Sequence, residues 1–161
     1  MATELYNSSE ITTPSIHAGK GKTFALIVSE WNTRITQSMC DAAIQTLCNY
    51  GVEKDNITVH YVPGSFELIY GASKMAEGAA PDAIIAIGCV IKGDTPHFDY
   101  ICQSVATNLG YINTQAKCPV IFGVLTTNTL EQALDRSGGK LGNKGAEAAI
   151  TALIMAENFA W

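Results

Sequence analysis

Basic runs, paired cysteine spacings and long apolar stretches are all missing from this 161-residue chain, and each absence removes a class of function. With no basic run and a formal net charge of -5, no face is suited to a phosphate backbone, so nucleic acid is not an expected partner. The five cysteines (Cys40, Cys48, Cys89, Cys102, Cys118) are odd in number, widely spaced and never arranged as Cys-x-x-Cys. That pattern argues against a disulfide framework or a zinc site and suits a reducing cytosol. The three histidines, His17, His60 and His97, are far apart, so no metal is expected. The longest apolar run, Ala83–Ile91, is far shorter than the ~20 residues of a membrane-spanning helix. No apolar stretch follows a basic one at the N-terminus, and the expectation is an unsecreted, cytoplasmic protein with no membrane partner. Charged residues are also scarce, at 16% against roughly 25% in a typical soluble domain. Scarce surface charge predicts that other copies of the chain cover part of the surface.

What is present is enough apolar material, 47% of residues, for one folded domain, and this length suits one core. Residues 1–22 mix Ser, Thr, Gly and Lys around Pro14 without a sustained period, which predicts a flexible arm before a single domain at 23–161. From Phe24 the pattern becomes apolar. Phe24–Ser29 is a continuous run of the kind buried on both faces of a sheet. Asn32 or Thr33 can cap the helix marked by Ile35, Met39, Ala43 and Leu47, which Asn49-Tyr-Gly51 ends. Further strands are expected at Ile57–Val62, Ala83–Ile91 and 120–125. Helices are expected at 66–79, from His97 to Pro119, at 129–137 and at 142–158. Alternating strands and helices with short links predict a three-layer α/β sandwich. Its centre is a four-stranded parallel sheet of flavodoxin-like topology, joined by right-handed crossovers.

In such sheets ligands sit beyond the carboxyl ends of the strands. Loops 29–32, 63–67, 91–97 and 126–128 must converge there, bringing together Trp31, Asn32, Glu67, His97 and the turn Gly93-Asp94-Thr95. Two nucleotide signatures fail. Gly21-Lys22-Thr23 ends like a Walker loop, but the earlier glycine would fall at Ile16, and no Gly-x-Gly-x-x-Gly follows a strand. Read locally, the remaining features are two-sided. Gly93-Asp94-Thr95 is either an anion cradle or an ordinary turn with Thr95 capping a helix. His97 in a first helical turn favours a neutral ring able to accept a proton, or is structural. Arg136, Lys140 and Lys144 around a flexible glycine segment either hold a phosphate or stabilise a helix end. Trp31 is a stacking plate or an interface aromatic. Glu67 binds hydroxyls or simply suits a first helical turn.

The joint pattern is more specific. Trp31-Asn32, Val62-Pro-Gly-Ser-Phe-Glu-Leu68 and Gly88-Cys-Val-Ile-Lys-Gly-Asp-Thr-Pro-His-Phe-Asp-Tyr100 occur in order. They are followed by Pro119-Val-Ile-Phe-Gly-Val-Leu-Thr-Thr127, Glu131-Gln-Ala-Leu-Asp-Arg-Ser-Gly138 and Gly142-Asn-Lys-Gly145. Over residues 22–157 the sequence resembles the lumazine synthase family. That family condenses 5-amino-6-(ribitylamino)pyrimidinedione with 3,4-dihydroxy-2-butanone 4-phosphate, without cofactor or metal, in the penultimate step of riboflavin biosynthesis.

The resemblance implies that Trp31 stacks on the pyrimidine ring, Asn32 lines the same pocket, and Ser65, Phe66 and Glu67 serve the ribityl side. It places Val90, Ile91 and Lys92 at the pyrimidine edge and Gly93, Asp94 and Thr95 at the phosphate end, with His97 as the general acid/base. Phe122, Arg136 and Lys144 would arrive from a neighbouring subunit, against the ring, the phosphate and a ring carbonyl respectively. Phe98 and Ser137 stand where the family often has Tyr and Ala. The family's basic unit is a homopentamer with sites between subunits, and some members assemble twelve pentamers into a shell. The segment 138–143 has the compact length seen in shell-forming members, so the resemblance implies a shell here, and association with riboflavin synthase is a further expectation. A non-catalytic binder of the same fold would be expected to lose His97, Arg136 or Lys144, and all three are present.

Overall fold

The computed structural model describes residues 13–78 and 80–159. Strand β1 (Phe24–Ser29) is buried at every position, and β3 (Ala83–Ile91) is buried through Cys89, as continuous apolar runs require when helices cover both faces. β2 (Ile57–Val62) and β4 (Val120–Thr127) flank them in the order β2-β1-β3-β4, with every pairing parallel. Successive residues of a strand face opposite sides. Leu26, Val28, Ile85 and Ile87 therefore share one core with α1 (Thr33–Asn49) and α5 (Lys144–Asn158). Ala25, Ile27, Ile84 and Ala86 share the other with α2 (Leu68–Glu77) and α3 (His97–Gln115). The expected three-layer, flavodoxin-like sandwich is the observed one.

Strand order places the site. From β1 the chain crosses to β2 on one side and then to β3 on the other. The connections leaving β1 and β3 diverge and open a crevice at their carboxyl ends.

Helix boundaries differ from the sequence reading for local reasons. Helix α2 begins at Leu68, not at residue 66, because Gly64–Glu67 form a preceding turn in which the Gly64 carbonyl accepts the Glu67 N–H at 3.2 Å. The expected end of that helix at Ala79 lies outside the described residues. β4 runs on to Thr127, where its partner Ile91 holds the register. The helix expected at 129–137 is shorter, α4 (Leu130–Asp135), with the Thr129 hydroxyl capping the Gln132 N–H at 3.2 Å. The segment expected to be flexible is instead a small hairpin of β5 (Ser137–Gly139) and β6 (Gly142–Asn143). Gly138 and Gly142 supply its left-handed backbone at φ 114° and 83°, so α5 starts at Lys144 rather than at residue 142.

The arm expected at 1–22 falls outside the described residues as far as residue 12. Its described part is tied to the body. Ser15 Oγ donates to Glu157 at 2.6 Å, Lys22 Nζ donates to the Ala156 carbonyl at 2.9 Å, and Ala18 is buried.

Candidate functional site

The crevice at the switch point is a cleft of about 470 Å³ lined by residues of two loops, one strand end and one helix. Trp31 and Asn32 come from the β1–α1 loop, Ser65, Phe66 and Glu67 from the turn before α2, Cys89, Val90 and Ile91 from the end of β3, and His97 and Ile101 from α3. Eight of the residues named from the sequence thus meet around one space: Trp31, Asn32, Ser65, Phe66, Glu67, Val90, Ile91 and His97. Cys89 and Ile101 are additions. The helical spacing that places Ile101 on the core side of α3 gives no sign that it also reaches the cleft.

Two glycines shape this cleft. A Cβ on Gly64 would stand 2.9 Å from Glu67 Oε2 and 3.0 Å from Trp31 Cε3, so only a bare backbone lets the indole and the carboxylate come together. The Gly64 N–H donates to Glu67 Oε2 at 3.0 Å, which points the carboxylate before any ligand arrives. Gly88 leaves room for Ser65, whose Oγ would lie 2.7 Å from an added Cβ. Ser65 is buried, and its hydroxyl has no hydrogen-bond partner among the described residues. A buried hydroxyl without a partner is costly unless a ligand completes it.

Asn32 is not the side-chain cap that its position suggests. It occupies the N-cap of α1 in a left-handed conformation (φ 60°, ψ 41°) without a side-chain capping bond, and its Nδ2 donates to the Cys89 carbonyl at 2.9 Å. Thr95 does not cap α3 either. Pro96 holds that position with no side-chain bond, and His97 is the first helical residue, exposed at the positive end of the helix dipole. Burial pushes the Cys89 thiol up to about 11, so it stays protonated at neutral pH and offers no thiolate nucleophile.

The remaining sequence-named residues lie outside this lining. Lys92, Gly93, Asp94 and Thr95 form an exposed turn between Ile91 and His97, next to the cleft along the chain. Phe122 is exposed on β4, an edge strand. Arg136 and Lys144 stand at the end of α4 and the start of α5, in the layer that packs on α1.

The three cations expected to form a basic group are each paired. Arg136 grips Glu147 with both terminal nitrogens, at 2.8 and 3.0 Å, and also donates to the Leu141 carbonyl. Lys144 reaches the same carboxylate at 3.3 Å, and Lys140 pairs with Asp135 at 3.1 Å. Glu147 was not among the residues read from the sequence. Its place three residues after Lys144, in the first turn of α5, was the available signal. A guanidinium has five N–H donors, so these contacts leave about two for a ligand.

No group of three His, Cys, Asp or Glu side chains that could hold a metal occurs among the described residues. No helix among them is long and apolar enough to cross a membrane.

The family model described as 6,7-dimethyl-8-ribityllumazine synthase matches residues 21–160. The chain belongs to that family. It is 56% identical over 138 residues to the 6,7-dimethyl-8-ribityllumazine synthase of Bacteroides fragilis, a match covering 86% of this chain and 96% of that protein. The enzyme of the same name from Porphyromonas gingivalis is 53% identical over 156 residues, 97% of each chain. That from Flavobacterium johnsoniae is 49% identical, over 97% of this chain and 82% of that protein. Membership of the lumazine synthase family makes the chain a transferase of riboflavin biosynthesis.

Proposed function

We propose that the cleft binds 5-amino-6-(ribitylamino)pyrimidinedione and condenses it with 3,4-dihydroxy-2-butanone 4-phosphate to 6,7-dimethyl-8-ribityllumazine, releasing phosphate and water. The observation that carries this reading is one cleft at the switch point that gathers an indole, a backbone-oriented carboxylate, an unpartnered buried hydroxyl and an imidazole. The two halves of that set match the two halves of a ribitylaminopyrimidine. Trp31 offers a flat face for the heterocycle. Ser65 and Glu67 take ribityl hydroxyls, Ser65 gaining the partner it lacks and Glu67 using lone pairs left over from the Gly64 N–H. Phe66 adds to that side, and Val90, Ile91 and Lys92 meet the pyrimidine edge.

The chemistry needs two substrates held together and protons moved between them. The 5-amino group attacks the ketone, the carbinolamine loses water to an imine, phosphate leaves, and ring closure with loss of a second water completes the lumazine. His97, within the cleft lining, is the group that exchanges protons along this path. Gly93, Asp94 and Thr95 hold the phosphate end beside it.

Phe122, Arg136 and Lys144 do not line the cleft of their own chain. This supports a site completed by a neighbour's Phe122, Arg136 and Lys144 in a homopentamer. Arg136, held flat by Glu147, would present its remaining donors to phosphate. Twelve such pentamers forming a shell, a cytoplasmic location and an association with riboflavin synthase extend the same reading.

Incubating the purified chain with both substrates, and following lumazine absorbance together with phosphate release, tests the proposal. Stoichiometric appearance of both above the uncatalysed background is the expected result. Binding of the ligands without turnover would replace it with a non-catalytic binder.

A further inference from the structure

Three features of the β1–α1 loop converge on Asn32. Among the described residues it is the only non-glycine with positive φ, a backbone state that Asn tolerates better than most L-residues. Its carbonyl starts α1, accepting the Ile35 N–H at 2.8 Å and the Thr36 N–H at 3.1 Å, as an N-cap should. Its side chain, however, leaves the helix end uncapped and crosses to the Cys89 carbonyl at 2.9 Å. An N-cap Asn normally accepts from the first turn, so this diversion has to serve something else.

The strand register shows what it serves. Pairing of β1 with β3 ends at Val28↔Ile87, while β3 continues to Ile91. The Cys89 carbonyl therefore lies beyond the reach of the β1 ladder, and the Asn32 amide takes the place of the missing strand. Directly before Asn32 is Trp31, two-thirds exposed, its N–H bonded to the Pro63 carbonyl at 3.0 Å and its ring against Gly64. Directly after Cys89 are Val90 and Ile91 on the cleft wall.

We infer that Asn32 is a positioning residue. Its amide ties the Trp31 loop to the end of β3 and so sets the place of the stacking ring relative to the backbone of Val90 and Ile91. The inference rests on the proposed function for the ligand, a flat heterocycle read on its face by Trp31 and on its edge by β3. It gives Asn32 a role different from that of a ligand-contacting wall. The left-handed backbone is part of the device, because it turns the chain into α1 with the amide still facing β3.

The test uses Asn32→Gly and Asn32→Asp in the full chain. Glycine keeps positive φ without strain and removes the amide. Aspartate keeps a side chain of the same length and cannot donate to a carbonyl. With Trp161→Phe as background, Trp31 is the single tryptophan, and its fluorescence anisotropy reports the freedom of the ring. Both variants are expected to lower that anisotropy and to raise KM for the pyrimidine up to about tenfold, the loss of one hydrogen bond's net contribution. KM for the butanone phosphate and the oligomeric state should stay as in the parent, and the thermal midpoint should fall by no more than the loss of one hydrogen bond allows.

Wild-type anisotropy in Asn32→Asp would overturn the inference, since the backbone alone would then hold the ring. So would an equal rise in both KM values with a thermal midpoint lowered by more than one hydrogen bond allows, which is the mark of a merely structural role. If the parent neither binds nor turns over the pyrimidine, the proposed function fails. The anisotropy comparison, which needs no substrate, still decides the clamp.

Discussion

His97 and Gly64 show how differently single residues serve this cleft. His97 is exposed at the first residue of α3 and holds no packing position, so His97→Ala should leave folding and assembly unchanged. As the proposed proton-exchanging group it should lower kcat by roughly 10²–10⁴-fold, the usual range for a general acid/base, measured as lumazine formation at saturating substrates. A loss smaller than tenfold would remove His97 from that role. Gly64 acts through what it lacks. Its missing side chain leaves space for the Trp31 ring and the Glu67 carboxylate at 3.0 and 2.9 Å. Trp31, Glu67 and His97 could be read from the sequence because each sits at the carboxyl end of a recognisable strand or the start of the next helix, whereas Ser65 came only with the resemblance to the family. The Asn32 tie and the bond from Arg136 to Glu147 could not be read there, unlike the Lys144–Glu147 pair, whose helical spacing is visible in the sequence. Both are hydrogen bonds between loops and elements whose mutual distance only the folded chain sets.

At the scale of elements, α1 and α5 approach each other closely at Gly145. A Cβ on Gly145 would stand 1.9 Å from the Met39 carbonyl oxygen and 2.5 Å from its carbon, backbone atoms that cannot rotate away. Gly145→Ala should therefore force the helices apart and destabilise the fold by about 3 kcal/mol, the upper part of the usual overpacking range. Urea unfolding monitored by circular dichroism would show it as an earlier midpoint with an unchanged slope. The same junction fixes Asn143, Lys144 and Glu147 at the start of α5, because Asn143 Nδ2 reaches the Ser38 carbonyl on α1 at 3.3 Å. Strands were easier to read than helix ends for a physical reason. β1 and β3 are continuous apolar runs buried on both faces, whereas the starts of α2 and α5 depend on a turn closed by Gly64 and a hairpin allowed by Gly138 and Gly142.

For the molecule as a whole, the surface carries Tyr70, Tyr100 and Tyr111 at 65–70% exposure, along with Phe122 on an edge strand. Large apolar groups combined with 16% charge favour burial against further copies of the chain. Because Phe122, Arg136 and Lys144 stand apart from the cleft of their own chain, activity should follow assembly. Sedimentation velocity of the purified protein is expected to show multiples of five 17.2 kDa chains and no active monomer. A monomer with full turnover would sink the proposal of a site completed by a neighbour.

Periodicity and apolar runs were sufficient for the parallel sheet, its two helical layers and the loops that meet at its carboxyl end, because burial on one or both faces is written residue by residue along each element. The ordered motifs were sufficient for the family. Folding alone decided that Asn32 bonds to β3 instead of capping α1, that Arg136 joins Lys144 on the Glu147 carboxylate, and that residues 137–143 form a hairpin. Each of those outcomes is a contest between partners for one donor, carboxylate or backbone state. The winner is set by three-dimensional distance, which local sequence does not encode.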